Sequence, residues 1–166
     1  MPLHERAFGR IEDTVVIARS VEDVFAFYQD FRNLPQFLGD VMRVEIVDTC
    51  TSRWTIRAPF GVELRQTVVI TDMRPNAFIA YRTKVPVPVR WEVRFLPGTD
   101  PCTTLLRETM TLPGGPVAAS ALAAFGKPPR KEVRANLERL KELLETGRVT
   151  TLDYAIAGKF RRISSR

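Results

Sequence analysis

The fold is decided by residues 109–147, TMTLPGGPVAASALAAFGKPPRKEVRANLERLKELLETG, in which a strand-like run gives way to helical sequence. The strand-like run ends in the Pro-Gly-Gly turn at 113–115. The small apolar residues of 117–125 predict a short helix, which the Gly-Lys-Pro-Pro sequence at 126–129 interrupts. A longer helix is predicted to follow this break and to end at Gly147, a common C-terminal stop.

This long helix is predicted from an apolar stripe. Val133, Leu137, Leu140 and Leu144 recur at intervals of four, three and four residues, the period of one helix face. A helix of about 18 residues is roughly 27 Å long, enough to lie across a small sheet. Charged side chains are predicted to cover its other faces: Arg134, Glu138, Arg139, Lys141, Glu142 and Glu145.

The residues before this stretch are predicted to form the sheet. A β-branched run at 14–18 predicts the first strand, Ser20 is expected to cap a helix, and 33–39 predicts a second short helix. Turn sequences then separate six further strand candidates, 41–48, 52–58, 62–72, 77–84, 88–96 and 103–112. Because the links between them are short, successive strands are expected to pair antiparallel.

Alternation along these strands predicts one apolar and one polar sheet face. Inward positions are predicted for Val44, Ile46, Trp54, Ile56, Leu64, Gln66, Val68, Ile70, Ile79, Tyr81, Trp91, Val93, Phe95, Leu106 and Met110. The opposite positions carry mostly arginine, glutamate and threonine. We interpret these arginines as solvent-side partners of glutamate and threonine rather than as a phosphate site.

Composition and charge narrow the class of protein. A chain of 166 residues with 45% hydrophobic and 27% charged residues is typical of one globular domain. The N-terminal sequence lacks the apolar stretch of a secretory signal, no apolar window is long enough to span a bilayer, and Cys50 and Cys102 have no paired motif. The chain is therefore predicted to be cytoplasmic.

Basic residues are concentrated at the C-terminal end. Residues 148–166 carry five basic side chains against one acidic, although the net charge of the whole chain is only +6. A nearly neutral body does not favour nucleic-acid binding. We predict one domain at 1–147 and a basic, solvated tail at 148–166. The residues beyond about Thr150 are predicted to be dispensable for folding, although Tyr154, Ile156 and Phe160 leave room for a short docked helix.

The order of elements and three stretches of sequence are similar to a known superfamily. The stretches are 17–25 (IARSVEDVF), 30–38 (DFRNLPQFL) and the signature within 113–147. The chain resembles the START-like, helix-grip superfamily (SRPBCC), and within it the polyketide cyclase/dehydrase-like branch. This resemblance implies an α+β fold in which a curved antiparallel sheet of about seven strands grips a long C-terminal helix, with two short helices after the first strand.

The resemblance also implies a cavity between sheet and helix that holds lipids, quinones, polyketides or other apolar molecules. The inward residues allow such a cavity, although the same aromatic side chains could simply fill the core. The expected ligand-binding residues are Trp54, Gln66, Tyr81, Trp91, Leu106, Glu108, Met110 and Phe125. No metal and no cofactor are expected, since the single histidine, His4, lies near the N-terminus.

Glu108 is the one anomaly in the inward register. A buried, unpaired carboxylate is costly, so Glu108 is expected either to face the cavity or to be turned to solvent beside Arg107 by a bulge. Inside the cavity its pKa would be raised, or it would bind Tyr81, Gln66 or an arginine.

Two functions therefore stay open at this point, with a partner-binding module that uses the basic tail as a third alternative. The protein binds or carries an apolar or aromatic small molecule without catalysis, or it is a cyclase or dehydratase in which Glu108 and Tyr81 move protons. The expected partner is the small molecule, and the sequence leaves monomer and homodimer open.

Overall fold

The structure of the chain is a computed structural model that describes residues 8–84, 88–115 and 128–160. Within them, seven strands form one antiparallel sheet in the order β1-β7-β6-β5-β4-β3-β2. The strands are β1 (Phe8–Ile17), β2 (Val41–Ile46), β3 (Thr51–Arg57), β4 (Glu63–Arg74), β5 (Phe78–Thr83), β6 (Arg90–Pro97) and β7 (Thr104–Pro113). The sheet is curved, as predicted, and its register shifts at two places, in β2 and in β4.

Two helical segments follow β1 and cover one end of the sheet. Helix α1 (Val21–Gln29) begins where the Ser20 hydroxyl accepts a hydrogen bond from the Asp23 amide at 3.2 Å. A 3-10 helix (Phe31–Gln36) follows directly. The predicted pair of short helices is confirmed, although the second begins two residues earlier and is wound more tightly than an α-helix.

The long C-terminal helix, α2 (Pro129–Thr146), is also confirmed. It begins with proline in its first turn and ends at Gly147, whose φ of 73° lies in the left-handed region that glycine adopts readily. Val133, Leu137 and Leu140 are buried in the main core, and Leu144 packs against it half-buried. The predicted apolar stripe is therefore the face that α2 turns to the sheet. The predicted short helix at 117–125 lies outside the described residues.

The inward and outward sets of side chains are largely as predicted. Trp54, Val68, Ile79, Tyr81 and Leu106 are buried on the inner face. The prediction of a buried, inward position is wrong for two residues, because Ile46 is 50% exposed and Leu64 is 44% exposed. Both lie in the half of the sheet formed by β2, β3 and β4, farthest in strand order from β1, against which α2 packs.

The expectation of a solvated C-terminal tail is wrong for its described part. Residues 148–160, here called the C-terminal strap, fold back onto α2 and onto the start of β2. The Ile156 amide donates to the Gly39 carbonyl at 2.9 Å, and Glu142 accepts from the Thr150 and Thr151 amides at 2.7 and 3.0 Å. The strap docks without regular secondary structure, and not as the short helix for which Tyr154, Ile156 and Phe160 left room.

Arg139 is a second correction. The sequence placed it among the charges of the exposed helix faces, but its exposed fraction is 0%. Its guanidinium donates to the Phe37 carbonyl at 2.7 Å and to the Asp153 carbonyl of the strap at 2.6 Å. A cation can be buried here because backbone carbonyls satisfy its donors.

Among the described residues, no helix is both long and apolar enough to cross a membrane.

Candidate functional site

A small, mostly enclosed cavity of about 100 Å³ lies between the inner face of the sheet and the first turns of α2. The side chains that line it come from β3, β5, β6 and β7, from the start of β2 and the segment before it, and from α2. They are Leu38, Asp40, Val41, Trp54, Ile56, Tyr81, Thr83, Trp91, Glu108, Met110, Pro129, Glu132, Val133 and Asn136. An apolar cavity of ~150 Å³ in another protein admits benzene, so this volume is near the limit for one ring.

Aromatic rings form one side of this cavity. Tyr81 stacks on Trp91, with ring centroids 5.4 Å apart and planes 12° apart, because the two residues face each other across β5 and β6. The ring centroids of Tyr81 and Trp54 are 5.9 Å apart, and the Phe31 ring contacts both of these rings edge-on. Trp54 is held in place by its indole N–H, which donates to the Ser52 hydroxyl at 2.8 Å. These contacts give the cavity a rigid aromatic surface.

Glu108 is the buried acidic group among the three that line the cavity, the other two being Asp40 and Glu132. It is 3% exposed, and its Oε2 has no hydrogen-bond partner among the described residues. Burial raises the pKa of Glu108 to about 7, and the negative charge of Asp13 shifts it in the same direction. Both protonation states are therefore populated near neutral pH. The neutral acid can donate a hydrogen bond to a ligand oxygen, and the carboxylate can accept a proton.

Asp13 reaches this position through strand pairing. It is the direct partner of Glu108 in the β1–β7 ladder, and directly paired residues project from the same face of a sheet. Its Oδ1 accepts from the Arg134 guanidinium of α2 at 3.0 Å. Arg134 also donates to the Thr14 carbonyl at 3.1 Å. An ion pair between β1 and α2 therefore lies beside the buried acid.

Two tyrosine hydroxyls meet behind the cavity. The hydroxyls of Tyr28 and Tyr81 are 3.0 Å apart and fully buried. Burial raises the pKa of both phenols well above their ordinary value, and the nearby Glu108 adds to the effect. Both phenols therefore keep their protons at neutral pH. The pairing of Tyr28 with Tyr81 depends on contact between α1 and β5, which are far apart in sequence.

Five of the predicted ligand-binding residues line the cavity together: Trp54, Tyr81, Trp91, Glu108 and Met110. Leu106 is fully buried in the main core but does not line the cavity, and Gln66 is half-buried on β4 opposite Trp54, also away from the lining. Phe125 lies outside the described residues. Of the two positions considered for Glu108, the structure has the inward one.

Sequence patterns missed the wall of the cavity at 37–41, just before and at the start of β2. The Gly39 amide donates to the Asn136 Oδ1 at 3.0 Å, and the same oxygen accepts from the Arg139 guanidinium at 2.6 Å. Leu38, Asp40 and Val41 line the cavity from this segment. No periodic signal marks these residues, because they contact the cavity through an irregular turn.

Larger depressions also lie on the surface. One of them, about 480 Å³, lies between the 3-10 helix and the β2–β3 hairpin. Its two aspartates already accept hydrogen bonds from nearby backbone amides. Asp48 accepts from the Cys50 and Thr51 amides, and Asp30 accepts from the Arg32 amide. The enclosed cavity around Glu108 is therefore the better candidate site.

A curved antiparallel sheet closed by a C-terminal helix over an apolar cavity defines the class of START-like, helix-grip proteins. Residues 9–145 match the family described as polyketide cyclase / dehydrase and lipid transport, and the chain belongs to that family. It therefore has a hydrophobic ligand-binding fold. The match ends before the C-terminal strap. The chain matches no curated protein sequence.

Solved structures show the same architecture. A protein from Deinococcus radiodurans is 25% identical with a TM-score of 0.66, covering 83% of this chain and 98% of its own. A START superfamily protein from Mycobacterium smegmatis is 17% identical with a TM-score of 0.65, covering 81% and 98%. The di-domain ARO/CYC protein BexL from the BE-7585A biosynthetic pathway is 17% identical with a TM-score of 0.64. That match covers 85% of this chain and 51% of BexL.

Proposed function

We propose that this protein binds a small apolar or aromatic molecule, of lipid, quinone or polyketide type, in the cavity around Glu108. One observation carries the proposal. A cavity lined by Trp54, Tyr81 and Trp91 also contains the buried carboxyl group of Glu108, whose Oε2 has no hydrogen-bond partner among the described residues. An apolar pocket with few, well-placed polar groups is typical of small-molecule sites.

The cavity supports a ligand with one ring and one oxygen atom near it. Apolar walls favour a ring through burial of its surface, and Glu108 in its neutral form would donate to a carbonyl or hydroxyl oxygen. At about 100 Å³ the cavity is below the ~300–1,000 Å³ of usual ligand pockets. A larger ligand would therefore require part of the wall to move.

Binding can be followed without a label because the chain has two tryptophans, and both line the cavity. Acetophenone, a single-ring ketone, should shift both indole N–H signals in a nitrogen–proton NMR spectrum. Ethylbenzene has the same shape without the oxygen and should bind more weakly. Indole signals that do not respond to acetophenone at millimolar concentration would contradict the proposal.

A pair of variants separates cavity binding from surface binding. Val133→Phe adds a ring at a buried lining position and should abolish the response to acetophenone. Val62→Phe makes the same change at a position that is 52% exposed and should leave the response intact. Mass spectrometry of molecules released from the purified protein by denaturation would then identify the natural ligand.

A second candidate function is catalysis of cyclisation or dehydration in the same cavity. It is favoured by Glu108 and Tyr81, two buried titratable groups that lie in the same lining. The carboxylate would remove a proton from the carbon next to a ketone, and the Tyr81 hydroxyl would donate a hydrogen bond to the developing enolate oxygen. This function needs both groups, whereas binding needs only the cavity and one hydrogen bond.

Exchange of the acetophenone methyl protons with deuterium from heavy water distinguishes the two functions. Under the enzyme hypothesis the protein accelerates exchange, and Glu108→Gln abolishes the acceleration with binding nearly unchanged. Under the carrier hypothesis no acceleration is expected. Glu108→Gln would then keep most of the binding, because an amide can still donate one hydrogen bond.

A further inference from the structure

The wall of the cavity at 37–41 is supported from outside by cations. On the far side of this wall, Lys159 of the C-terminal strap donates to the Leu38 and Val41 carbonyls. Arg139 of α2 donates to the Phe37 carbonyl at 2.7 Å. Three carbonyls of a five-residue segment are thus held by two positively charged side chains.

The strap itself is held by the same groups. Arg139 donates to the Thr151 and Asp153 carbonyls at 3.3 and 2.6 Å, and its guanidinium lies 5.2 Å from the centroid of the Phe160 ring. Lys159 lies 5.1 Å from the same ring. The cations therefore join strap, helix and wall into one network, in which Arg139 is buried and Lys159 is half-buried.

Gly39 shows how close the strap lies to the wall. A Cβ atom at this position would overlap the Tyr154 carbonyl oxygen and would lie 2.7 Å from the Arg139 Nη2. The Gly39 carbonyl accepts from the Ile156 amide at 2.9 Å. Only a residue without a side chain permits this approach, so the wall and the strap fit together at Gly39.

We infer that the C-terminal strap contributes to ligand binding. In this inference Lys159 and Arg139 are positioning residues that hold the backbone of the wall at 37–41 in place beside the cavity. Leu38, Asp40 and Val41 line the cavity from one side of this wall, and the cations hold its backbone from the other. This inference rests on the proposed function. It adds residues that do not touch the ligand and that lie partly beyond the family match.

The cations act on the ligand through backbone position. Leu38 and Val41 can fit around a ligand ring only while their carbonyls stay on Lys159, because a shift of the backbone would move both side chains together. Loss of the Lys159 ammonium should loosen the wall and lower the affinity for a small ligand. It should leave the Trp54, Tyr81 and Trp91 surface in place, since these rings belong to the sheet.

The test compares Lys159→Met with Lys141→Met. Lys141 also donates to a backbone carbonyl, that of Val16 at 2.7 Å, but it lies near the other end of α2 and away from the cavity lining. We expect Lys159→Met to raise the Kd for acetophenone about tenfold or more, and Lys141→Met to leave it within about twofold. Hydrogen exchange at the Gly39 amide should become faster in Lys159→Met alone.

A merely structural role of Lys159 would lower stability without moving the Kd of the folded protein. Urea unfolding of both variants separates that case from the inference. Gly39→Ala is a second variant that separates strap and wall without changing charge, and it should raise the Kd in the same direction as Lys159→Met. The inference would be overturned if Lys159→Met and Gly39→Ala both left the Kd for acetophenone and the hydrogen exchange of the amide at position 39 unchanged.

Failure of the proposed function would be visible separately. If the wild-type protein does not bind acetophenone, the proposed function fails in this form, and the exchange measurement alone decides on the wall. Faster exchange at Gly39 in Lys159→Met, but not in Lys141→Met, would then still support the role of the strap in holding the wall. Equal exchange in the two variants would refute it.

Discussion

Glu108→Gln tests the central feature of the site through the pH dependence of stability. In the folded protein burial raises the pKa of Glu108 to about 7 from an ordinary value of 4.5. Below pH 4.5 the acid is protonated in both the folded and the unfolded state. The stability that the protonated form gives the folded protein, relative to the carboxylate, is therefore fully present there. Between pH 4.5 and about 7 the folded state keeps a proton that the unfolded state has released, and the free energy of unfolding falls as pH rises.

The size of this effect follows from the same two pKa values. One pKa unit corresponds to about 1.4 kcal/mol, so the full interval corresponds to roughly 3 kcal/mol. The glutamine variant has no titrating group at this position and should lack this dependence. Between pH 5 and pH 8 the wild-type protein should therefore lose about 2–3 kcal/mol relative to Glu108→Gln.

Urea unfolding at several pH values between 5 and 8 measures this difference. Glu92→Gln is the matched control, because Glu92 lies on β6 with its side chain on the outer sheet face, and this change should leave the pH dependence of the wild-type protein in place. Carbon-13 NMR titration of the Glu108 carboxyl gives its pKa directly. A difference between wild type and Glu108→Gln that stays constant within about 0.5 kcal/mol from pH 5 to 8 would refute the reasoning.

Three further predictions concern the packing and the charges. Leu140→Ala should destabilise the protein by about 2–5 kcal/mol in a denaturant melt, while the exposed Leu152→Ala should cost under about 1 kcal/mol; equal effects would contradict the packing of α2. Asp13→Asn removes a negative charge that raises the pKa of Glu108, so NMR titration should show that pKa falling, and an unchanged value would assign the shift to burial alone. Truncation after Gly147 removes charged hydrogen bonds of the strap and should lower the free energy of unfolding by at least about 2 kcal/mol, whereas a change near zero would restore the view of a dispensable tail.

The secondary structure was predictable because it depends on local spacing. The helix stripe at Val133, Leu137 and Leu140 repeats every three to four residues, and apolar and polar residues alternate along the strands. The spacing of apolar residues therefore indicates which face of each element is buried. The order of these elements was sufficient to recognise the superfamily. The inward register also predicted that Trp54, Tyr81 and Trp91 share one face of the sheet, since period-two alternation and antiparallel pairing fix which side chains are neighbours.

The site was predictable only in part. Alternation placed Glu108 in the inward register, but whether that register held at β7 depended on pairing with β1 and β6, which is unbroken around this residue. The same inward position was predicted for Gln66 and Leu106, and neither lines the cavity. Register fixes the face that a residue lies on, whereas the position of α2 and of the wall decides which part of that face stays uncovered.

Local sequence patterns were sufficient to predict the α+β class, the sheet with its inner aromatic residues, and the amphipathic helix that closes it. The burial of Arg139, the docking of residues 148–160 and the contact of Tyr28 with Tyr81 depend on packing between distant segments. A charged residue in a helical pattern is exposed by default, and only carbonyls from distant segments, those of Phe37 and Asp153, make its burial possible. Periodicity reports the face of one element, while these contacts depend on irregular backbone from several elements meeting in space.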